Sequence, residues 1–105
     1  GYADAQLNIG LMYFYGLGVA QNDEQAVSWI RRAAEQDNPH AQYALGLAYA
    51  SGIGTHYDYK RADQLLKEAE KNGISDASEQ RSLLAQERTA REIRRGKMQQ
   101  SSLPH

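Results

Sequence analysis

The amino-acid sequence predicts an all-α protein, an α/α solenoid of two helical hairpins followed by one further helix. An internal repeat is the first reason: the stretch from Ile9 to Val19, I-G-L-M-Y-F-Y-G-L-G-V, returns 36 residues later between Leu45 and Thr55 as L-G-L-A-Y-A-S-G-I-G-T. The second reason is that apolar residues between these stretches recur at helical spacing. Self-similarity at a period of about 20 to 50 residues is typical of solenoids, whose units bury their apolar faces only by stacking.

A pair of glycines marks the turn inside each predicted hairpin. The four glycines are Gly16 and Gly18 in the first hairpin, and Gly52 and Gly54 in the second. A Gly-x-Gly pair suits a helix that ends in a left-handed residue and then turns back. Asn22 and Asp58, also 36 residues apart, are the predicted N-caps of the helices that follow. The repeating unit is therefore helix, glycine-rich turn, helix.

Two further glycines lie inside predicted helices. Gly10 and Gly46 interrupt apolar runs, where a glycine costs roughly 1 kcal/mol relative to alanine. We expect this cost to be offset by close approach of the second helix of the same hairpin, where Ala26 and Ala62 are the natural counterparts.

Together these residues resemble the Sel1-like repeat, a relative of the tetratricopeptide repeat. The first unit matches that pattern at Ala5, Ile9, Gly10, Tyr13, Gly16, Gly18, Val19, Asn22, Ala26, Trp29, Ala33 and Ala34. The second unit departs from it at Thr55, Leu65 and Glu70. The resemblance implies an α/α solenoid that scaffolds protein complexes, and it implies no catalysis. The alternative is a non-catalytic repeat part of a larger enzyme or regulator.

The repeat divides the chain into four parts. Residues 1–36 and 37–73 are the two Sel1-like repeats, residues 74–95 a C-terminal capping helix, and residues 96–105 a disordered tail. Helices are expected at about 3–15, 23–36, 39–51, 59–72 and 75–95. The pattern lapses after Gly73, because the positions expected to hold Leu, Gly and Tyr hold Arg81, Ser82 and Ala85.

Composition excludes several classes of site. The 105 residues contain no cysteine, so disulfides, thiolate metal sites and cysteine nucleophiles are absent. His40, His56 and His105 share no ligand spacing, and Gly16-Leu17-Gly18 follows a helix instead of a strand and lacks the lysine of a phosphate loop. We therefore predict no catalytic residue, no metal and no cofactor. No apolar run approaches the roughly 18 residues of a membrane span.

Charge is unevenly divided along the chain. Residues 1–80 carry a net charge of −5, and residues 81–105 carry +4. The basic cluster consists of Arg88, Arg91, Arg94, Arg95 and Lys97. Such a cluster could contact nucleic acid or anionic lipid, but it lacks interleaved aromatic residues. We predict a solvated helix with a pair between Glu87 and Arg91, and no nucleic-acid partner.

The predicted partner is a protein or peptide, bound in a groove lined by the first helix of each hairpin. At 100° per residue, Leu7, Leu11 and Phe14 lie opposite the face that packs inside the hairpin. The resemblance to tetratricopeptide repeats extends the predicted partner-binding set to Asp4, Leu7, Leu11, Phe14, Tyr15, His40, Tyr43, Leu47, Ala50 and Ser51. The alternative is that adjacent repeats bury both faces of these helices.

The first helix is apolar on both faces, and no polar cap precedes it. Because about three repeats are usually needed to bury such faces, we expect a longer array, or a second copy of the chain that covers this helix. The alternative is a self-sufficient miniature solenoid. Trp29, on the second helix, is expected to be the largest apolar burial of the first repeat.

Overall fold

The structure, a computed structural model, describes the backbone of residues 1–101 and the side chains of residues 1–96. Within the described backbone the chain forms five helices and no strand. The helices are α1 (Tyr2–Tyr15), α2 (Asp23–Glu35), α3 (Pro39–Ser51), α4 (Tyr59–Lys71) and α5 (Asp76–Ser101). Helix α1 packs on α2, α3 on α4, α2 on α3, and α4 on α5. The predicted all-α solenoid is thereby confirmed.

The turns of both hairpins form as their sequences predict. Helices α1 and α3 end at Gly16 and Gly52, which adopt left-handed conformations with φ of 68° and 72°. Helices α2 and α4 begin after Asn22 and Asp58, whose side-chain oxygens accept hydrogen bonds of 3.0 and 3.1 Å from the backbone N–H three residues later. Each cap satisfies one of the otherwise unpaired N–H groups of the first helical turn.

The helix-interior glycines permit close packing within each hairpin. A methyl group on Gly10 would lie 2.7 Å from Ile30 Cγ1 and 2.9 Å from the carbonyl oxygen of Ala26. On Gly46 it would lie 2.9 Å from Leu66 Cγ. A side chain at either position would force the two helices apart, which explains why glycine is present despite its cost in a helix.

A repeated polar contact, which the sequence analysis missed, ties the ends of each hairpin. Gln36 Nε2 donates to Gln6 Oε1 at 2.5 Å, and Asn72 Nδ2 donates to Gln42 Oε1 at 3.0 Å. The two pairs are related by the 36-residue repeat. Gln6 and Gln42 are buried, so these bonds prevent the penalty of an unsatisfied polar group inside the fold.

The core runs along the inner faces of the stacked helices. Its buried members are Val27, Ile30, Ala33, Ala34, Ala41, Leu45, Tyr49, Ala62, Leu66, Ala69, Ala77 and Leu84. Trp29 is absent from this set and only partly buried. It lies at the edge of the apolar stripe of α2, where the guanidinium of Arg32 covers its ring at 4.6 Å.

Helix α5 closes the C-terminal end of the stack through one arginine. Arg81 Nε lies 3.0 Å from Asp63 Oδ1, and Arg81 Nη1 lies 3.4 Å from Glu70 Oε2. The hydrogen bond that Arg81 donates to Asp63 raises the pKa of the Arg81 guanidinium above its ordinary value, although partial burial opposes this effect. The predicted capping helix therefore carries a specific electrostatic link to α4.

The basic cluster of α5 is engaged more extensively than the sequence predicts. Arg91 Nη2 pairs with Glu87 Oε1 at 2.9 Å, as predicted. The guanidinium of Arg88 also lies 3.8 Å from the ring centroid of Tyr59, and that of Arg91 lies 4.5 Å from the centroid of Tyr57. These cation–π contacts fix the middle of α5 against the start of α4. The side chain of Lys97 lies outside the described residues.

The end of α5 corrects one predicted boundary. The helix continues through Gly96 to Ser101, whereas the sequence predicted a disordered tail from residue 96. A single glycine costs a helix only about 1 kcal/mol, and the Arg, Lys, Met and Gln residues around it are good helix formers. Residues 102–105 of the predicted tail lie outside the described residues.

Candidate partner-binding groove

An apolar groove lies between α1 and α3, with α2 as its floor. The groove encloses a cavity of about 360 Å³. Its walls are residues of α1 and α3, its floor is Ala26, Val27 and Ile30 of α2, and Ile53 of the second turn also lines it. Stacking of the two hairpins creates this groove, because α2 packs on both α1 and α3.

Six of the ten predicted partner-binding residues come together along this cavity. They are Leu11, Phe14, Tyr15, Tyr43, Leu47 and Ser51. Leu11, Tyr43 and Leu47 are partly buried, whereas Phe14 and Tyr15 are 38% and 65% exposed. Adjacent repeats therefore do not bury both faces of α1 and α3 within this chain.

The other four predicted residues do not line the cavity. Leu7 and Ala50 are partly buried and pack against the core, and His40 is exposed at the start of α3. Asp4 Oδ1 accepts a hydrogen bond of 2.6 Å from Asn38 Nδ2, and its other oxygen lies 3.1 Å from the amino group of Gly1. The amino group, and then Asn38, lower the pKa of the Asp4 carboxyl. Asp4 thus links the first residues of α1 to the cap of α3.

Sequence reasoning missed part of the groove. The residues that it did not name are Ala26, Val27, Ile30, Ala44, Ala48 and Ile53. A signal for Ile53 was available, because it is a large apolar residue between the two glycines of a turn, and it is 43% exposed. The floor residues carried no such signal, since the sequence predicts that Ala26 packs against Gly10 inside the hairpin.

The chemistry of the groove favours apolar ligands. None of the described residues that line it is charged. Ser51 Oγ already donates to the carbonyl oxygen of Leu47 at 2.8 Å, so its hydroxyl hydrogen is used locally. The rings of Phe14 and Tyr15 meet edge to face, with centroids 5.0 Å apart, and form an aromatic rim at the open side. Such a surface offers apolar contact area with few groups that orient a polar ligand.

Metal sites and membrane spans each depend on a recognisable arrangement of residues. No group of three or more His, Asp or Glu side chains there is arranged to hold a metal ion. No helix within the described residues combines the length and apolarity that crossing a membrane requires.

Comparison with known proteins identifies the repeat. The profile described as Sel1 repeat matches residues 3–38 and 39–74, two residues or fewer from the predicted boundaries of the units. A putative Sel1-like repeat-containing protein of Acanthamoeba polyphaga mimivirus is 35% identical over 69 residues, 66% of this chain and 13% of that protein. An ERAD-associated E3 ubiquitin-protein ligase component of Arabidopsis thaliana is 36% identical over 55 residues, 51% of this chain and 8% of that protein.

A solved structure supports the same assignment. The crystal structure of a Sel1 repeat protein from Oxalobacter formigenes superimposes with a TM-score of 0.74 at 35% sequence identity, over 76% of this chain and 60% of that one. In the two curated relatives, by contrast, the matched segment spans less than one seventh of the relative's length. Sel1 repeats mediate protein interactions and are generally non-catalytic. Since the profile covers two consecutive units that together form both hairpins, the chain belongs to the Sel1 repeat family.

Proposed function

We propose that the chain is an interaction scaffold that binds an apolar segment of a partner protein in the groove between α1 and α3. The observation that carries this proposal is the uncharged cavity with two exposed aromatic side chains, Phe14 and Tyr15, at its rim. Exposed apolar surface on a soluble domain commonly marks an interaction site, and aromatic residues are enriched where binding energy concentrates.

The shape of the groove favours an elongated occupant. Its walls run along two neighbouring helices, which suits an extended peptide or an amphipathic helix that presents apolar side chains on one side. Because no charged residue lines the cavity, the inserted side chains should be apolar, and charged residues of the partner should stay outside the rim.

The proposal is tested by selecting peptides from a random library against the chain and measuring their affinities. Phe14→Ala should weaken the selected peptides at least about tenfold, as expected for loss of an aromatic anchor worth more than roughly 1.4 kcal/mol. Leu83→Ala is the matched control, because Leu83 is 48% exposed but lies on α5, outside the groove. Equal affinities for wild type and Phe14→Ala would reject the proposal.

We also propose that the outer face of α1 packs against another helical repeat, in a longer array or in a second copy of the chain. The repeat itself supports this proposal, because equivalent positions differ in burial. Ala41, Leu45 and Tyr49 of α3 are 0%, 5% and 3% exposed. Their equivalents in α1, Ala5, Ile9 and Tyr13, are exposed or only partly buried. Sedimentation tests this: a strictly monomeric, cooperatively unfolding species at high concentration would favour a self-sufficient miniature solenoid.

The alternative role is that of a repeat part within a larger enzyme or regulator. The short share of each curated relative that the chain matches supports this possibility, and one of those relatives is a component of a ubiquitin ligase. Both roles use the groove in the same way. Nucleic acid is not the proposed partner, since Arg88 and Arg91 are already engaged with glutamates and tyrosine rings.

A further inference from the structure

A second concave site lies on the side of α3 that faces away from the apolar groove. It is a notch of about 160 Å³ lined by Arg31, Ala34, Glu35, Leu45, Tyr49, Arg61 and Leu65. On α3 the notch uses Leu45 and Tyr49, whereas the groove uses Tyr43 and Leu47. At 100° per residue these pairs lie on opposite sides of the helix, so the two sites are separate.

Two guanidinium groups converge on the notch around one buried ring. Arg31 Nη2 donates to the Tyr49 hydroxyl at 2.9 Å. The guanidinium carbons of Arg31 and Arg61 lie 5.9 and 5.6 Å from the Tyr49 ring centroid, and Tyr49 is only 3% exposed. Arg31 comes from α2 and Arg61 from α4, so stacking of the two hairpins places both guanidiniums beside the Tyr49 ring, in the lining of one notch.

Neither arginine is neutralised by a nearby carboxylate of the described chain. The ion pairs within 4.0 Å among residues 1–96 involve other side chains. Glu35 lines the same notch, but it lies beyond that distance from both guanidiniums. His56, whose ring centroid is 5.6 Å from that of Tyr49, is paired with Asp58 at 3.8 Å. The notch therefore contains two guanidinium donors and one carboxylate that forms an ion pair with neither of them.

The arginine pair is not required by the packing of the repeat. The residue equivalent to Arg61 in the first repeat is Gln25. The residue equivalent to Arg31 in α4 is Lys67, and the residue equivalent to Tyr49 in α5 is Ala85. The combination of Arg31, Tyr49 and Arg61 at the junction between the two hairpins therefore depends on residues that the repeat does not preserve.

We infer that this notch binds the carboxylate of an acidic side chain, a glutamate of a partner protein, between Arg31 and Arg61. Guanidinium groups bind carboxylates through charge-assisted, often bidentate hydrogen bonds. The apolar lining residues Ala34, Leu45 and Leu65 offer contact area for the methylene groups of such a side chain. The site would give the scaffold a polar contact point on the face opposite the groove.

The inference is tested by titrating the isotope-labelled full chain with the tripeptide acetyl-Ala-Glu-Ala-amide, following the Tyr49 ring and the arginine Nε–H signals by NMR. The matched ligand is acetyl-Ala-Gln-Ala-amide, and inorganic phosphate is the second anion. Arg61→Gln introduces glutamine, the residue that the first repeat has at the equivalent position, Gln25. Arg94→Gln, on the exposed part of α5, is the control for general loss of positive charge.

The glutamate peptide should produce saturable shifts of Tyr49, and Arg61→Gln should weaken binding by about tenfold, the effect of one lost charge-assisted hydrogen bond. Glu35→Gln should tighten it, because the competing carboxylate is removed. Absence of saturable shifts, equal binding of the glutamine peptide, tighter binding of phosphate, or an equal loss in Arg94→Gln would each overturn the inference. Thermal unfolding of every variant establishes that the fold is retained.

Discussion

Gly54, in the turn of the second hairpin, lies directly against the main chain of Asp23 at the start of α2. A methyl group on Gly54 would overlap the carbonyl oxygen of Asp23 and would lie 2.6 Å from Val27 Cγ2. Gly18 occupies the equivalent place in the first hairpin with the same φ of 75°, and a methyl group there would have no atom within 4 Å. The two glycines therefore share a backbone conformation and differ in their contact with a neighbouring hairpin.

Replacing each of these glycines by alanine should separate the cost of the left-handed backbone conformation from the cost of the contact with the neighbouring hairpin. Gly18→Ala should lower the free energy of unfolding by about 1 kcal/mol, because a left-handed residue with a Cβ is strained. Gly54→Ala should cost a further 1 to 3 kcal/mol or so, since the added methyl group overlaps packed atoms. Urea unfolding of both variants measures the difference. Equal costs would mean that the second turn does not pack on α2.

The stability lost when a core side chain is truncated to alanine should depend on how deeply that side chain is buried and not on its size. Leu66 is fully buried, so Leu66→Ala should cost about 2 to 5 kcal/mol. Trp29 keeps part of its surface in solvent beneath Arg32, so Trp29→Ala should cost roughly 2 to 3 kcal/mol, below the range of about 3 to 5 kcal/mol for fully buried tryptophans. Chemical denaturation measures both. A loss above about 4 kcal/mol for Trp29→Ala would show that another chain or repeat covers this ring.

The link between α4 and α5 should be measurable as a coupling energy. A double-mutant cycle on Arg81 and Asp63 should give about 1 kcal/mol, because the pair joins two helices and its side chains are 32% and 44% exposed. The matched cycle on Glu87 and Arg91, an exposed pair within α5, should give roughly 0.3 to 0.5 kcal/mol. A larger coupling energy for the pair within α5 than for the pair that joins α4 and α5 would contradict the role assigned to Arg81.

The contacts of Asp4 predict that the stability of the folded state depends on pH in the acidic range. The Gly1 amino group and Asn38 hold the pKa of its carboxyl below the ordinary value of 3.8, so the folded state binds the proton less readily than the unfolded state. The stabilising contribution of the Asp4 carboxylate is fully present above pH 3.8 and is lost as the pH falls through the lower folded-state pKa. Stability below pH 3.8 should therefore fall more steeply in the wild type than in Asp4→Asn. An NMR titration of Asp4 that gives its ordinary pKa would refute this.

Most of the fold could be predicted from the sequence because the signals are local and repeated. Gly16 and Gly52 end helices, Asn22 and Asp58 begin them, and each works through atoms within a few residues along the chain. The contacts that escaped prediction join residues far apart in sequence. Examples are Gln6 with Gln36, Asp63 with Arg81, and Arg88 with Tyr59.

The candidate site could be predicted only in part for the same reason. Helical phase indicated which faces of α1 and α3 point away from their hairpin partners, and Leu11 and Leu47 do line the groove. The angle at which the hairpins stack decides how far the groove extends, and no pattern in the sequence encodes that angle. Leu7 and His40 were consequently included in the predicted site although they lie outside the cavity.

The most direct test of the scaffold proposal is methyl NMR mapping of a library-selected peptide on the full chain. The account predicts that the methyl signals of Leu11, Leu47 and Ile53, which line the groove, shift on binding, whereas those of Leu83 and Ile93 on α5 do not. Phe14→Ala should require at least about tenfold more peptide to produce the same shifts, while leaving the unfolding transition cooperative. Shifts confined to α5, or to Ile9 on the outer face of α1, would contradict the account, because the partner would then bind elsewhere on the solenoid.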